Sequence, residues 1–216
     1  RRYRGAVMSE WWTYGLSDFL LFSPQTYQRL FELHNAALWP AQVAALAAGI
    51  AVILLGMRQS RGTWILAALA WLLVAWLWFH QRYATINWAA DWIAIAFVLQ
   101  ALLLLWQSLR RKSVSGSSNL AGLAFMIFAV AALPLLPLLL GRPWRQAEIF
   151  ALTPGPTVIA TFGLLLMLRA PRHLLILPLL WCAIDGATLW AMDAPEFWLL
   201  PAAGLLTVAM TALRRA

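Results

Sequence analysis

The chain has 216 residues, 63% of them apolar and only 11% charged, with a formal net charge of +8 and a mean hydropathy of +0.75. Soluble domains carry roughly 45–50% apolar and about 25% charged residues, so this composition excludes an ordinary water-soluble fold. It also argues against nucleic acid as a partner, because the basic residues sit in small clusters at the ends of apolar runs rather than along one face.

Residues 1–7 (RRYRGAV) precede the first Met and read as a tag remnant, an upstream start or a native extension; no apolar h-region follows that would make a signal peptide. From Ser23 to Asn35 the pattern predicts an interfacial amphipathic helix. Ser23 can cap it, Pro24 suits its first turn, and Tyr27, Leu30, Phe31 and His34 share a face opposite Gln25, Gln28, Arg29 and Glu32. Docking on the bundle is the preferred placement, since an apolar run begins almost at once.

Seven apolar runs follow, at 36–57, 63–80, 89–107, 119–140, 155–169, 174–190 and 197–213, the fifth and sixth short. A bilayer interior of about 30 Å takes about 20 residues per helix, and continuous rather than alternating apolar runs exclude a β-barrel. The expected fold is all-α and polytopic: residues 1–35 form a tail and the interfacial helix, and residues 36–216 a domain of seven transmembrane helices.

Charge sets the orientation. Arg58 and Arg61, Arg110 with Arg111 and Lys112, Arg169 and Arg172, and Arg214 with Arg215 all fall on alternate loops or ends, against Arg82, Arg142 and Arg145 on the other side. The positive-inside rule places the N-terminus outside and the C-terminus in the cytoplasm. Fifteen Arg against one Lys, with heavy Ala and Leu, suits a GC-rich bacterial genome, hence an inner-membrane location. Of the fourteen Trp, residues 11, 12, 39, 88, 92, 144, 190 and 198 lie near the outer boundary and Trp64 and Trp106 near the inner one, as aromatic belts do.

Residues 36–107 and 155–213 each contain three runs in the same orientation, with 119–140 as an inverting linker, so a parallel 3-1-3 repeat is expected alongside chance alignment of Leu/Ala-rich segments. With Pro40, Pro154, Pro156 and Pro178 in or near equivalent runs, this plan resembles the SWEET and PQ-loop transporters. The resemblance covers architecture only: the family's Pro-Gln dipeptide is absent, and no binding residue carries over. The opening MSEWWTYGLSDFLLFSPQTYQRLFELHNAALWPAQ is similar to the start of an uncharacterised family of bacterial multi-span proteins, a domain of unknown function, which implies no activity.

Asp185 is the leading candidate for chemistry. It lies twelve residues beyond His173, about 18 Å along a helix, near the middle of a bilayer. An ionisable group there faces the bundle interior and marks a pathway, a proton or cation site, or a structural hydrogen bond, which Gly186 and Thr188 would allow by close packing. Asp91, His80 and Asn87 form a second polar set at outer helix ends, and His34 and Glu148 are candidates for the same outer mouth. Helix-end capping is the ordinary reading of such groups. The imidazole and carboxylate types suit zinc, nickel or copper, but no HxxxH or Cys spacing accompanies them, and CxxCH for haem is absent. Lys112, in a loop, cannot serve a retinal Schiff base, and the single Cys182 reads as a buried inert thiol.

No metal site, catalytic residue or cofactor is assigned, and no nucleophile–base pair points to an enzyme. Two readings from different classes stay open. One is a small-molecule or ion transporter with a polar site opening to the periplasm. The other is a non-catalytic anchor or accessory subunit, meeting the lipid bilayer on its flanks and a second copy or membrane-complex partner through its outer face. Transport requires Asp185 to face a cavity; anchoring requires a dry, packed site.

Overall fold

The computed structural model describes residues 22–110 and 119–213. They form eight helices and no strand: α1 (Pro24–Leu38), α2 (Ala41–Met57), α3 (Arg61–Thr85), α4 (Ala90–Arg110), α5 (Leu120–Leu139), α6 (Pro154–Met167), α7 (Arg172–Ala191) and α8 (Leu199–Leu213). Residues 1–7, Trp11, Trp12, Arg111, Lys112, Arg214 and Arg215 lie outside the described residues.

Local chemistry places the ends. The Thr26 N–H donates to Ser23 Oγ at 3.2 Å, with Pro24 at the first helical position, so α1 starts as its sequence implies. It stops because Trp39 precedes Pro40 and takes an extended backbone (φ −61°, ψ 131°), and α2 leaves at 94° to α1. The run expected from residue 36 is thus divided, its helix beginning at Ala41. Ser60 and Asn119 cap α3 and α5 through Gly62 N–H and Ala121 N–H. Within α5, Pro134 and Pro137 supply no N–H, and the helix widens to π turns at Phe128–Ala132 and tightens to a 3₁₀ turn at Leu133–Leu135 before recovering.

Helix α6 is the axis of the molecule. Every residue from Ile149 to Leu168 is buried, while α2, α3, α5 and α8 pack around it. The tightest crossing is with α5: a Cβ on Gly163 would lie 2.6 Å from the Gly122 carbonyl oxygen, and one on Gly122 2.6 Å from the Gly163 carbonyl. Only glycine at both positions lets the backbones approach so closely. A second crossing joins α7 and α8, where a Cβ on Gly186 would meet Pro201 Cγ at 2.5 Å. On the other flank, α3 runs along α4 and an aromatic core fills the space between them, α1 and α7: Phe31 on Trp78 (4.3 Å), Trp71 on Phe97 (4.3 Å) and Phe79 on Trp181 (5.0 Å). Cys182 is buried there as a free thiol.

Outside, the helices are apolar where a water-soluble bundle would be polar, with Ile50, Leu54, Leu69, Leu102, Leu205 and Leu206 all exposed. Helices α3, α4, α5 and α7 are long and apolar enough to cross a membrane, and α1 with α2 makes a fifth if the bent pair counts as one. Helices α6 and α8, with 14 and 15 residues, reach only about 21–23 Å at 1.5 Å per residue, so helix length supports four or five crossings rather than the seven expected from hydropathy. Trp39, Trp88, Trp92, Trp144, Trp190, Trp198 and Trp106 are exposed; Trp64, expected at a boundary, is 1% exposed and belongs to the core.

The two sets of three apolar runs pack differently. In 36–107 the middle helix is α3, which touches both α2 and α4; in 155–213 it is α8, the last, which touches both α6 and α7. One unit begins with a peripheral helix and the other with the enclosed axis, so the burial of equivalent positions differs.

Gly163→Ala sets a methyl against backbone atoms that cannot move aside, whereas a Cβ on Gly62 would meet only side-chain atoms, Leu55 Cδ1 at 3.3 Å and Ser60 Oγ at 3.5 Å. The α5–α6 variant is expected to lose on the order of 3 kcal/mol or more and Gly62→Ala less than about 1. Melting temperatures of the detergent-solubilised proteins check this; equal Tm values would show that the crossing is not tight.

Candidate functional site

A helix start buried on all sides must satisfy its own N–H groups, and the stretch before α6 does so. The Thr153 N–H donates to the Ile149 carbonyl at 2.9 Å; Pro154 and Pro156 have no N–H; the remaining one, on Gly155, is taken by Glu148. Gly155 lacks a side chain for the same reason, since a Cβ there would lie 2.5 Å from Glu148 Oε2. Thr153 Oγ1 accepts from Ile149 N–H (2.9 Å), Thr157 Oγ1 accepts from Ala151 N–H (3.0 Å) and donates to the Thr153 carbonyl (2.8 Å). Thr161 Oγ1 donates to the Thr157 carbonyl and accepts Trp71 Nε1–H, both at 2.8 Å. These bonds hold Ala151 in the left-handed region (φ 65°), strain of about 1 kcal/mol that they outweigh.

Helix α1 clamps the same stretch from outside. The Asn35 amide donates to the Arg145 and Ala147 carbonyls at 2.8 and 2.9 Å, and Gln146 Nε2 donates to Glu32 Oε1 at 2.9 Å. His34 Nε2 lies 2.9 Å from the Leu152 carbonyl, which can only accept, so Nε2 carries the proton and is closed to a metal. His34 is 1% exposed, and therefore a structural donor rather than part of an open mouth.

Between α1, the end of α5, the end of α7 and the α7–α8 turn lies a cavity of about 230 Å³. Asp185 and Glu148 line it, with Arg142, Gln146, Asp193 and Glu196. Asp185 stands six residues before the last residue of α7, Ala191, about 9 Å along the axis. It is 7% exposed, and its carboxylate hydrogen-bonds to no described residue. Arg142 is paired with Glu196: Nη1 and Nη2 donate to Oε1 and Oε2 at 2.5 and 2.9 Å, a bidentate pair that ties the loop after α5 to the α7–α8 turn. Burial, with the Glu196 charge second, pushes the Glu148 carboxyl up to about 7, against the weaker downward pull of Gly155 N–H and Arg142.

The polar residues expected beside Asp185 are elsewhere. His80 Nδ1 and Asp91 Oδ1 are 2.8 Å apart and half-exposed in a separate groove between α3 and α4, with Trp76 stacked on the imidazole. Asn87 Oδ1 accepts from Ala89 N–H at 2.9 Å, an Asx turn just before α4. Asp185 and Glu148 therefore come together, while Asp91, His80, Asn87 and His34 do not join them. Arg142, Glu196 and Gln146 were missed as site residues; the signal available was opposite charge on two loops assigned to the same side. Among the described residues, no three His, Cys, Asp or Glu side chains form a group that could hold a metal ion.

A family model described as a family of unknown function (DUF6064) matches residues 25–216. The chain belongs to the DUF6064 family. No curated protein and no solved structure matches it. The DUF6064 match begins within α1 and takes in every element that lines the cavity.

Glu148 titrates at 4.5 when unperturbed and at about 7 in the fold. Below the lower value both folded and unfolded states hold the proton; between the two values only the unfolded state releases it, so stability falls as pH rises and the loss is complete above about 7. Glu148→Gln is expected to remove that part of the decline. Melting temperature recorded against pH tests it, and an identical profile in the variant would assign the titration to another group.

Proposed function

We propose that the protein is an integral protein of the bacterial inner membrane that binds a small solute or ion in the Asp185 cavity from the periplasmic side and passes it across the bilayer. The carrying observation is Asp185 itself: a carboxyl without a hydrogen-bond partner among the described residues, in a predominantly apolar helix, and lining a cavity. A purely anchoring subunit has no use for such a group, because an unpaired buried carboxylate opposes folding. The apolar exterior supports the membrane setting, and seven crossings require the short helices α6 and α8 to be completed by the chain flanking them.

Orientation follows from the Arg and Lys distribution, and the helix ends are consistent with it. Arg58, Arg61, Arg110, Arg169 and Arg172 stand at one set of helix ends, and Arg172 Nη2 joins the start of α7 to the Thr211 carbonyl near the end of α8 there. The cavity is at the opposite set, with Arg142, Asp193 and Glu196, the side assigned to the periplasm.

Two measurements test this reading. A C-terminal reporter active only in the cytoplasm should be active, and one active only in the periplasm silent; the reverse result refutes the orientation. In proteoliposomes screened for flux of protons, inorganic cations and small metabolites, Asp185→Asn should reduce the flux at least tenfold while leaving the melting temperature within a few degrees. Full flux in that variant would return Asp185 to a structural role and favour the anchoring subunit.

A further inference from the structure

The composition of the cavity narrows what it can hold, given the reading that it is a ligand site. Four carboxyls (Glu148, Asp185, Asp193 and Glu196) face one guanidinium, and that guanidinium is already occupied by both oxygens of Glu196. Among the described residues, an anionic ligand would thus find no cation in the cavity wall that is not already paired, and three further carboxyls. A neutral ligand would leave Asp185, 93% buried and hydrogen-bonded to no described residue, still lacking a charged donor.

A divalent metal fits poorly. Calcium takes six to eight oxygens and magnesium a near-octahedral set, while no group of three ligating side chains gathers here among the described residues. Much of the remaining wall is apolar: Phe31, Leu133, Leu136, Leu189 and Met192, with the Tyr27 ring beside them. Such a surface gains from covering carbon and offers nothing to a hydrated ion. The volume of about 230 Å³ lies below the roughly 300–1,000 Å³ of pockets for drug-sized ligands, so only a few carbons fit.

We propose that this cavity is a binding site for a small primary ammonium compound, its N–H₃⁺ group donating to Asp185 and Glu148 and its short hydrocarbon part lying against Phe31, Leu136, Leu189 and Met192. A primary ammonium supplies three donors to oxygens that otherwise have few, and charge-assisted hydrogen bonds of this kind are about twice as strong as neutral ones. The aromatic rings at Tyr27 and Phe31 add a face that tolerates a cation. Arg142 and Glu196, paired at the loop junction, position the wall without contacting the ammonium.

The full chain in lipid nanodiscs at pH 8 provides the test, read as the shift in melting temperature and by calorimetric titration. The probes are n-butylammonium, tetramethylammonium, butanoate, sodium and magnesium at equal ionic strength. Saturable stabilisation by n-butylammonium is expected, with at least tenfold weaker response to each of the others, because tetramethylammonium keeps the charge but loses every N–H donor. Asp185→Asn should weaken n-butylammonium binding at least tenfold, and Leu189→Trp, which fills the cavity without touching a charge, should abolish it. Stabilisation by n-butylammonium that equals that by sodium, or an unchanged affinity in Asp185→Asn, overturns the assignment. Failure of the ligand class and failure of transport separate cleanly: Asp185-dependent flux of an inorganic cation without amine binding sinks only the former, and Asp185-dependent amine binding without flux sinks only the latter.

Discussion

Everything in this fold depends on enclosing α6 on all sides. A helix surrounded by other helices cannot satisfy its first N–H groups with water, and an unpaired buried amide opposes folding by about 1–3 kcal/mol. The segment from Ile149 to Thr161 meets that demand within itself: two prolines that have no N–H to satisfy, one N–H turned back on Ile149, one given to Glu148, and three threonines at i, i+4 and i+8 bonding in series. Thr161 then takes the Trp71 indole, so the series couples the axis to the aromatic core. Glu148 lines the cavity because the helix start needs an acceptor there.

Packing around the axis follows from residue size. Gly122 and Gly163 allow α5 to cross α6 at backbone contact, and Gly186 and Gly204 draw α7 and α8 together. Where α5 rises from that crossing, Pro134 and Pro137 disturb its turns, and Leu133, Leu136, Pro137 and Leu140 from this irregular stretch form one wall of the cavity. Helix α1 closes the opposite wall through Tyr27 and Phe31, held by hydrogen bonds that Asn35 and Glu32 make to the segment before α6. The space above Asp185 is therefore a product of three features: a broken helix, a clamped helix and a turn fixed by the Arg142–Glu196 pair.

Electrostatics divides the molecule along its length. The arginine-bearing helix ends at Arg58, Arg61, Arg110, Arg169 and Arg172 are opposite the carboxyl-rich end that holds the cavity. Under the proposed membrane setting, such a polarity fits a chain held in one orientation between two aqueous phases. Among the described residues lining the cavity, the one guanidinium is paired with Glu196, and Asp185 and Glu148 have no ion-pair partner.

Composition, hydropathy and capping residues by themselves determined the all-helical class, the positions of most helices and the buried face of α1, because each rests on interactions between residues close in sequence. Period, cap and charge are local quantities. What the sequence could not determine was which helix is enclosed. The run at 155–169 looked like any other short apolar stretch, and its Pro-Gly-Pro start acquires meaning only when no water reaches it. The same holds for the site. Asp185 could be recognised as out of place, but its neighbours were assigned to Asp91, His80 and Asn87 from shared helix ends, and the tertiary structure set Glu148, Arg142 and Glu196 beside it instead. Contacts such as His34 with Leu152, 118 residues apart, depend on how helices rotate and cross. That is decided by the volumes of glycines, prolines and tryptophans packing together in three dimensions, and no pattern along one strand of sequence encodes it.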